Sequence, residues 1–191
     1  MEMTDVILQR RSVRTYTDQP ISEEDLNAII TAGTSAPSGL NLQPWFFVVL
    51  KSDQAKQEML DIMERVASGI GPELESRFSG KTELIHETTR FIRTLGNAPV
   101  IVLAFLMRDD YADKKTALLS VAAAVENILL AAREKEIGSC WLTAPEQTGH
   151  ESEIRDRFAP GKGELAAVIT LGYTDKWPKA VARRDGRVVI L

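Results

Sequence analysis

The chain has 191 residues, 44% of them hydrophobic and 26% charged, which is the ordinary composition of a compact soluble protein of one domain. Its formal net charge of -4 argues against wholesale binding to nucleic acid, because that binding relies on a broad basic surface. A single cysteine excludes an intramolecular disulfide, and two histidines with one cysteine give no spacing typical of a metal site.

The N-terminal residues contain no continuous apolar stretch of the length that a signal sequence needs. No segment approaches the length of a membrane-spanning helix. We therefore expect a cytoplasmic protein that holds no metal, crosses no membrane and does not bind nucleic acid.

Two helices and a strand are predicted in the first fifty residues. A short helix covers residues 5–9, with Thr4 as its cap. The second helix begins at Ser22, because acidic residues fill its first turn and an apolar stripe follows, and Gly33 suits its exit. Aromatic and β-branched residues then run together at residues 45–50, which predicts a strand.

The middle of the chain holds three predicted helices and one strand. Helices are expected at residues 53–66 and 82–95, and the glycine-rich residues 67–81 between them are expected to be irregular. A strand follows at residues 99–106. The helix at residues 114–136 is apolar on most sides, which indicates burial in a core or a subunit interface.

The last third is predicted to form a short strand at 139–142, a helix at 151–158 and a strand at 165–172. None of the strand candidates alternates apolar with polar residues, so both faces of their sheet should be covered. Strands separated by helices predict an α+β fold, a three-layer α/β/α sandwich, with residues 1–191 as one domain. The tail after Gly172 is neither helical nor plainly core, yet it ends in the apolar "VVIL".

The segment "RRSVR" concentrates three arginines in an acidic chain. If it is extended, Arg10, Ser12 and Arg14 share one side while Arg11 and Val13 take the other. Two guanidinium groups and a hydroxyl would then suit a phosphorylated cofactor. The alternative is a set of solvated surface arginines at the end of a helix, where cations are favoured.

The loop "SAPSGLNLQPW" precedes the strand at 45–50. Ser38, Asn41 and Gln43 supply a hydroxyl and two amides that can meet the donors and acceptors of a planar heterocycle. The alternative is a plain turn rich in turn-forming residues.

Four ordered segments resemble the FMN-dependent nitroreductase family: "RRSVRTY", "ISEEDLNAIITAGTSAPSGLNLQPWFFVVL", "AAAVENILLAAREKEIGSCWLTAP" and "LAAVITLGYTDKWPKAVARRDGRVVIL". The resemblance covers most of the chain apart from about residues 67–96. It implies a nitroreductase-like fold with a central mixed sheet covered by helices. It also implies an intertwined homodimer with an exchanged C-terminal segment, although a tail folded on its own subunit is the alternative.

The resemblance assigns the cofactor FMN and a set of residues that hold it. Arg14 would lie near the pyrimidine edge of the flavin, backbone groups at Leu142 and Thr143 near its reactive nitrogen, and Arg183 or Arg184 at the phosphate. The loop residues would reach the flavin from the other subunit. The implied cofactor-binding residues are Arg10, Arg11, Ser12, Arg14, Pro37, Ser38, Gly39, Asn41, Gln43, Leu142, Thr143, Arg183 and Arg184. No catalytic side chain is assigned, because the flavin carries the chemistry.

The implied activity is hydride transfer from NADH or NADPH through FMN to a nitroaromatic, a quinone or a similar small-molecule acceptor. No G-x-G-x-x-G segment is present, so a separate dinucleotide-binding domain is not expected. Another reaction on the same fold, reductive dehalogenation or flavin fragmentation, is the first alternative. A non-catalytic protein that binds a phosphate ligand or nucleic acid through the arginines is the second.

Four other residues attract attention. Cys140 lies in an apolar strand candidate and is expected to be a small buried side chain rather than a nucleophile. Glu126 and Asn127 lie in the long helix, where they either support the flavin site or tie helices together. Trp177 in the tail could border the pocket, and residues 67–91 lie where the family places its substrate-contacting elements.

Overall fold

The structure is a computed structural model that describes all 191 residues. Its helices are α1 (Met3–Gln9), α2 (Glu23–Thr34), α3 (Asp53–Gly69), α4 (Gly71–Arg77), α5 (Thr82–Thr94), α6 (Lys114–Glu134), α7 (Ala144–Gln147) and α8 (Glu151–Phe158). Its strands are β1 (Trp45–Leu50), β2 (Val100–Leu106), β3 (Gly138–Leu142) and β4 (Leu165–Gly172). Two 3₁₀ turns, Gly39–Asn41 and Leu95–Asn97, precede β1 and β2.

The four strands form one sheet in the order β1-β2-β4-β3, and every pair of neighbours is antiparallel. The parallel component of the predicted mixed sheet is a single bridge between Ser12 and Ser139 at the edge of β3. The extended segment that carries the arginines is therefore attached to the sheet.

Helices cover both faces of the sheet, which confirms the predicted three-layer sandwich. In β2, Ile101, Leu103 and Phe105 point into a core shared with α3, α4, α5 and α8. The alternate residues Val102 and Ala104 point into a second core shared with α2 and α6. Because both faces are buried, the strand has no polar face, and this is why its sequence shows no alternation.

Helix α6 lies in the middle of the second core. It is the one helix long and apolar enough to cross a membrane by length and composition, so the expectation that no segment approaches that length is corrected. Its buried face packs against the sheet and α2, as the core helix of a globular domain does. Gly33 lies one residue before the end of α2, close to the predicted exit, and a Cβ at this position would lie 2.6 Å from Ile128 Cγ1, so the glycine also permits close approach of two helices.

Two further local predictions are wrong. Helix α1 begins at Met3 with Glu2 in the cap position, and Thr4 does not cap it. Residues 67–81 are mostly helical, because α3 continues to Gly69 and α4 follows with a proline in its first turn, where proline is tolerated. Burial of Ile70 and Leu74 in the first core outweighs the poor helix propensity of the glycines.

The tail after β4 contains no helix or strand, and its side chains are mostly exposed. Ile190 is 94% exposed, so the apolar end of the tail is not packed against its own chain.

Candidate functional site

The arginine segment leaves α1 and runs along the edge of β3. The Val13 amide donates a hydrogen bond to the Ser139 carbonyl at 2.9 Å. Val13 is buried, whereas Ser12 and Arg14 are exposed, which is the alternation that an extended segment predicts. The structure therefore presents Ser12 and Arg14 to solvent on one side of the segment.

A set of residues that the sequence analysis missed holds this segment in place. The Tyr16 hydroxyl donates to the Val13 carbonyl at 2.7 Å and lies 2.7 Å from the buried Thr170 Oγ1. Burial raises the pKa of the Tyr16 phenol far above its ordinary value, so it remains a proton donor at neutral pH. The Tyr16 amide donates to the Gly96 carbonyl at 3.2 Å, and a Cβ on Gly138 would lie 2.9 Å from the Val13 side chain.

The three arginines of the segment have different partners. Arg11 Nη1 donates to the Leu8 carbonyl at 2.7 Å and to the Arg10 carbonyl at 2.6 Å, so this side chain binds the end of α1. Arg10 Nε lies 3.4 Å from Glu126 Oε1. Arg14 forms no ion pair, and its guanidinium carbon lies 5.8 Å from the centre of the Phe91 ring. Arg10 is thus paired with a carboxylate and Arg11 with backbone carbonyls, whereas Arg14 has neither kind of partner.

Arg14 lines a cavity of about 210 Å³ between β3, α4 and α5. Leu142 and Thr143, which follow from the end of β3, line the same cavity, so three of the predicted site residues meet here. Much of the remaining wall is apolar and comes from Ile70, Leu74, Phe78, Phe91, Ile92, Trp141 and Ala144. An unpaired cation beside apolar walls suits a planar aromatic ring with a negatively charged edge.

Cys140 also lines this cavity, although its side chain is only 4% exposed. Burial raises the pKa of its thiol, and the neighbouring Arg14 guanidinium opposes that rise. Since the thiolate is the reactive form, burial disfavours reaction of this thiol. The prediction of a small buried side chain is confirmed.

The loop before β1 lies against the N-terminal part of α6, not at the cavity. Its polar groups bind one another: the Gln43 amide donates to Ser38 Oγ at 2.9 Å, and Gln43 Nε2 donates to Asn41 Oδ1 at 3.1 Å. Leu40, Asn41 and Gln43 have positive φ angles of 52°, 55° and 45°. Left-handed backbone at non-glycine residues is costly and concentrates at binding sites. Because the loop lies away from the cavity, none of its predicted site residues meets Arg14 within one chain. These residues are Pro37, Ser38, Gly39, Asn41 and Gln43.

The other predicted residues lie elsewhere. Arg183 and Arg184 are in the exposed tail, form no ion pair and line no part of the cavity. Trp177 does not border the cavity either, because the centre of its ring lies 4.1 Å from the guanidinium carbon of Arg133 at the end of α6. Asn127 Nδ2 donates to the Ala32 carbonyl at 3.0 Å, so it ties α6 to α2. No group of three histidine, cysteine, aspartate or glutamate side chains is placed to hold a metal ion.

Comparisons with known proteins show the family and the fold of the chain. A family model described as "Nitroreductase family" matches residues 7–173. A putative NADH dehydrogenase/NAD(P)H nitroreductase of Archaeoglobus fulgidus is 31% identical over 180 residues, which cover 90% of this chain and 85% of that protein. An iodotyrosine deiodinase of Thermotoga neapolitana is 26% identical over 181 residues, 92% of each chain. The crystal structure of a putative nitroreductase in complex with FMN from Desulfovibrio desulfuricans matches 99% of this chain and 95% of its own, with 28% identity and a TM-score of 0.73.

Proposed function

The chain belongs to the nitroreductase family, and from this premise we propose that it is an FMN-dependent oxidoreductase. The electron donor is NADH or NADPH, and the acceptor is a nitroaromatic, a quinone or a similar small molecule. The chemistry that FMN supplies when bound is two-electron transfer as hydride. We further propose that residues 1–191 form a single domain, which the sheet shared by both cores supports, and that the protein is cytoplasmic.

The observation that carries this proposal is the position of Arg14. Its unpaired guanidinium lines a largely apolar cavity whose wall also includes Leu142 and Thr143. A flavin ring needs these features, because its faces are apolar and its pyrimidine edge gains negative charge when it is reduced. The Arg14 guanidinium would stabilise that negative charge, while the backbone at Leu142 and Thr143 would lie near the reactive nitrogen of the flavin.

The remaining site residues complete the proposal. Arg10, Arg11 and Ser12 belong to the same segment as Arg14 and would support the cofactor beyond its ring. Either Arg183 or Arg184 would bind the phosphate, because a guanidinium matches phosphate oxygens. No side chain of the cavity is assigned a catalytic role, since the cofactor carries the hydride.

The test is anaerobic rapid mixing of the FMN-loaded protein with NADH or NADPH. We expect the visible absorbance of the flavin to bleach, and subsequent addition of a nitroaromatic or quinone to restore it. Absence of bleaching with both nicotinamides would contradict the proposed donor. Protein that stays colourless after incubation with FMN and desalting would contradict the cofactor itself and favour a non-catalytic phosphate-binding or nucleic-acid-binding role.

Reductive dehalogenation on the same fold is the second candidate, because the chain matches 92% of the Thermotoga neapolitana protein named iodotyrosine deiodinase. Release of iodide from iodotyrosine by the reduced holoenzyme, at a rate above that of nitroaromatic reduction, would favour it. Conversion of the flavin itself to fragments under oxygen would instead favour the flavin-fragmenting reaction.

We also propose that two chains form a homodimer with exchanged tails. Three surfaces support it: the loop with Leu40 96% exposed, the partly exposed apolar face of α6 with Leu119 62% exposed, and the exposed apolar end of the tail. Unpartnered apolar surface of this kind is typical of an interface. In the dimer, residues 37–43 and the tail arginines would reach the cavity of the partner.

Sedimentation tests this arrangement. We expect the full chain to sediment at twice the mass of the 21.2 kDa subunit, and a chain that ends at residue 186 to dissociate at higher concentration because it lacks "RVVIL". Substitution of Arg187 by alanine is the control, since it keeps the apolar residues. A full chain that sediments as a monomer would contradict the proposed dimer.

A further inference from the structure

A second cavity adjoins Arg14, between the arginine segment and α5. Its volume is about 450 Å³, and Phe91 is the only apolar side chain in its wall. Arg14, Thr15, Glu87, Arg90 and Asn97 supply most of its polar lining. Arg14 and Phe91 also line the cavity between β3, α4 and α5 that is proposed to hold the flavin, called the cofactor cavity below. The two cavities therefore meet at these two side chains.

Arg90 differs from the other arginines of the helices around it. Arg65, Arg77 and Arg93 of α3, α4 and α5 each form an ion pair with a glutamate. Arg90 forms neither an ion pair nor a side-chain hydrogen bond, although Glu87 lies one turn away on the same helix. With two arginines and one glutamate in its wall, the cavity holds an excess of positive charge.

The floor of this cavity is an unusual left-handed turn. Leu95, Gly96 and Asn97 have consecutive φ angles of 48°, 66° and 58°. Left-handed backbone at the two non-glycine residues costs about 1–2 kcal/mol each, and it persists where the surroundings require it. The turn packs tightly against the arginine segment. A Cβ on Gly96 would lie 2.5 Å from the Arg14 carbonyl oxygen, and the Gly96 carbonyl accepts a hydrogen bond from the Tyr16 amide. It therefore fixes Asn97 beside Arg14.

We propose that this cavity binds an oxyanion, a carboxylate or a phosphate, carried by the acceptor or by the nicotinamide donor, and that Arg90 determines the preference for it. The inference rests on the proposed function of the adjoining cavity. A molecule stacked in the cofactor cavity extends its charged group past Phe91 to Arg90 and Asn97, which are a cation and an amide donor without partners. The Glu87 carboxylate repels the bound anion and so limits the affinity of the cavity for it.

The first readout is binding, which does not depend on turnover. Calorimetric titration of the FMN-loaded protein with 4-nitrobenzoate and with the neutral 4-nitrobenzamide gives the preference for the anion. We expect Arg90→Gln to lower this preference about tenfold, because a charge-assisted hydrogen bond is lost. Glu87→Gln is expected to raise it, because a repulsive charge is removed. A general loss of structure would not move the two variants in opposite directions.

Arg93→Gln is the matched control, since Arg93 lies one turn further along α5, is paired with Glu64 and lines neither cavity. We expect it to leave the preference unchanged. An Arg90→Gln variant with the same preference as the unmodified protein, and the same KM for NADH and NADPH, would overturn the inference.

Turnover separates the two sources of the anion. If the acceptor carries it, Arg90→Gln raises KM for 4-nitrobenzoate relative to 4-nitrobenzamide and leaves KM for both nicotinamides unchanged. If the donor carries it, the variant raises KM for the nicotinamides with either acceptor. A protein that shows the binding preference but is not reduced by either nicotinamide would contradict the proposed function and leave the cavity assignment supported.

Discussion

Replacement of Arg14 by alanine is expected to weaken FMN binding about 10- to 100-fold, which is the effect of losing one hydrogen bond to a charged group. Reduction of the remaining bound flavin by NADH or NADPH should also be slower. Unlike Arg10 and Arg11, Arg14 has neither a carboxylate nor a backbone carbonyl as a partner, so its charge is free to act on the cofactor. Nothing else in the cofactor cavity except Arg77, which is paired with Glu73, supplies positive charge.

Fluorescence titration with FMN and rapid mixing with the nicotinamide measure the two effects. Arg65→Ala is the control, because Arg65 is an exposed, paired arginine on α3 that lines neither cavity. Arg14→Lys keeps the charge but not the planar fork, so it should recover the reduction rate better than the affinity. Unchanged affinity and reduction rate in Arg14→Ala would refute the role assigned to this residue.

The layers of the fold were predictable because burial on both faces leaves a direct trace in the sequence. Uninterrupted apolar runs mark β1, β2 and β4, and β2 is fully buried because its alternate residues enter two different cores. Ser22 caps α2 through a hydrogen bond from the Asp25 amide at 3.0 Å, as its position before an acidic turn predicts. These features depend on residues that are neighbours in the chain.

The wrong predictions share a different cause. Residues 67–81 look irregular because of their glycines and proline, yet most of them are helical, because Leu74 of α4 and Ile70 at the junction of α3 and α4 are buried against other elements. Gly33 was correctly predicted to lie near the end of α2, but the side chain that requires a glycine there is Ile128, on another helix. Contacts between distant segments decided both positions, and a local pattern does not record them.

The candidate site divides in the same way. The chemistry of Arg14 follows from its residue type and from the alternation of an extended segment. The contacts that hold the segment in place do not follow from the sequence. Tyr16 and Thr170 are 154 positions apart, and Gly96 packs against the backbone of Arg14. A signal was present in the glycines that adjoin three strands, "LGNAP", "IGSC" and "LGY", each of which packs against residues 13–16. The pairing of these glycines with one segment required the structure.

Replacement of Gly96 by alanine is expected to lower the free energy of unfolding by about 3 kcal/mol or more, as the sum of left-handed strain and overpacking. Its φ angle is 66°, and the new Cβ would lie 2.5 Å from the Arg14 carbonyl oxygen and 3.2 Å from the Tyr16 ring. Neither neighbour can retreat easily, because the backbone is bound to β3 through Val13 and Tyr16 is buried. Urea unfolding measures the loss.

Gly149→Ala separates the two contributions. Gly149 has a φ angle of 73°, and a Cβ at this position would meet no atom within 4 Å, so alanine there should cost only the left-handed strain of about 1–2 kcal/mol. The excess loss in Gly96→Ala then measures how tightly the turn holds the arginine segment. Because the clash displaces the Arg14 backbone, Gly96→Ala should also weaken FMN binding, whereas Gly149→Ala should not. Equal losses of stability in the two variants, with equal affinity for FMN, would mean that the turn does not position Arg14.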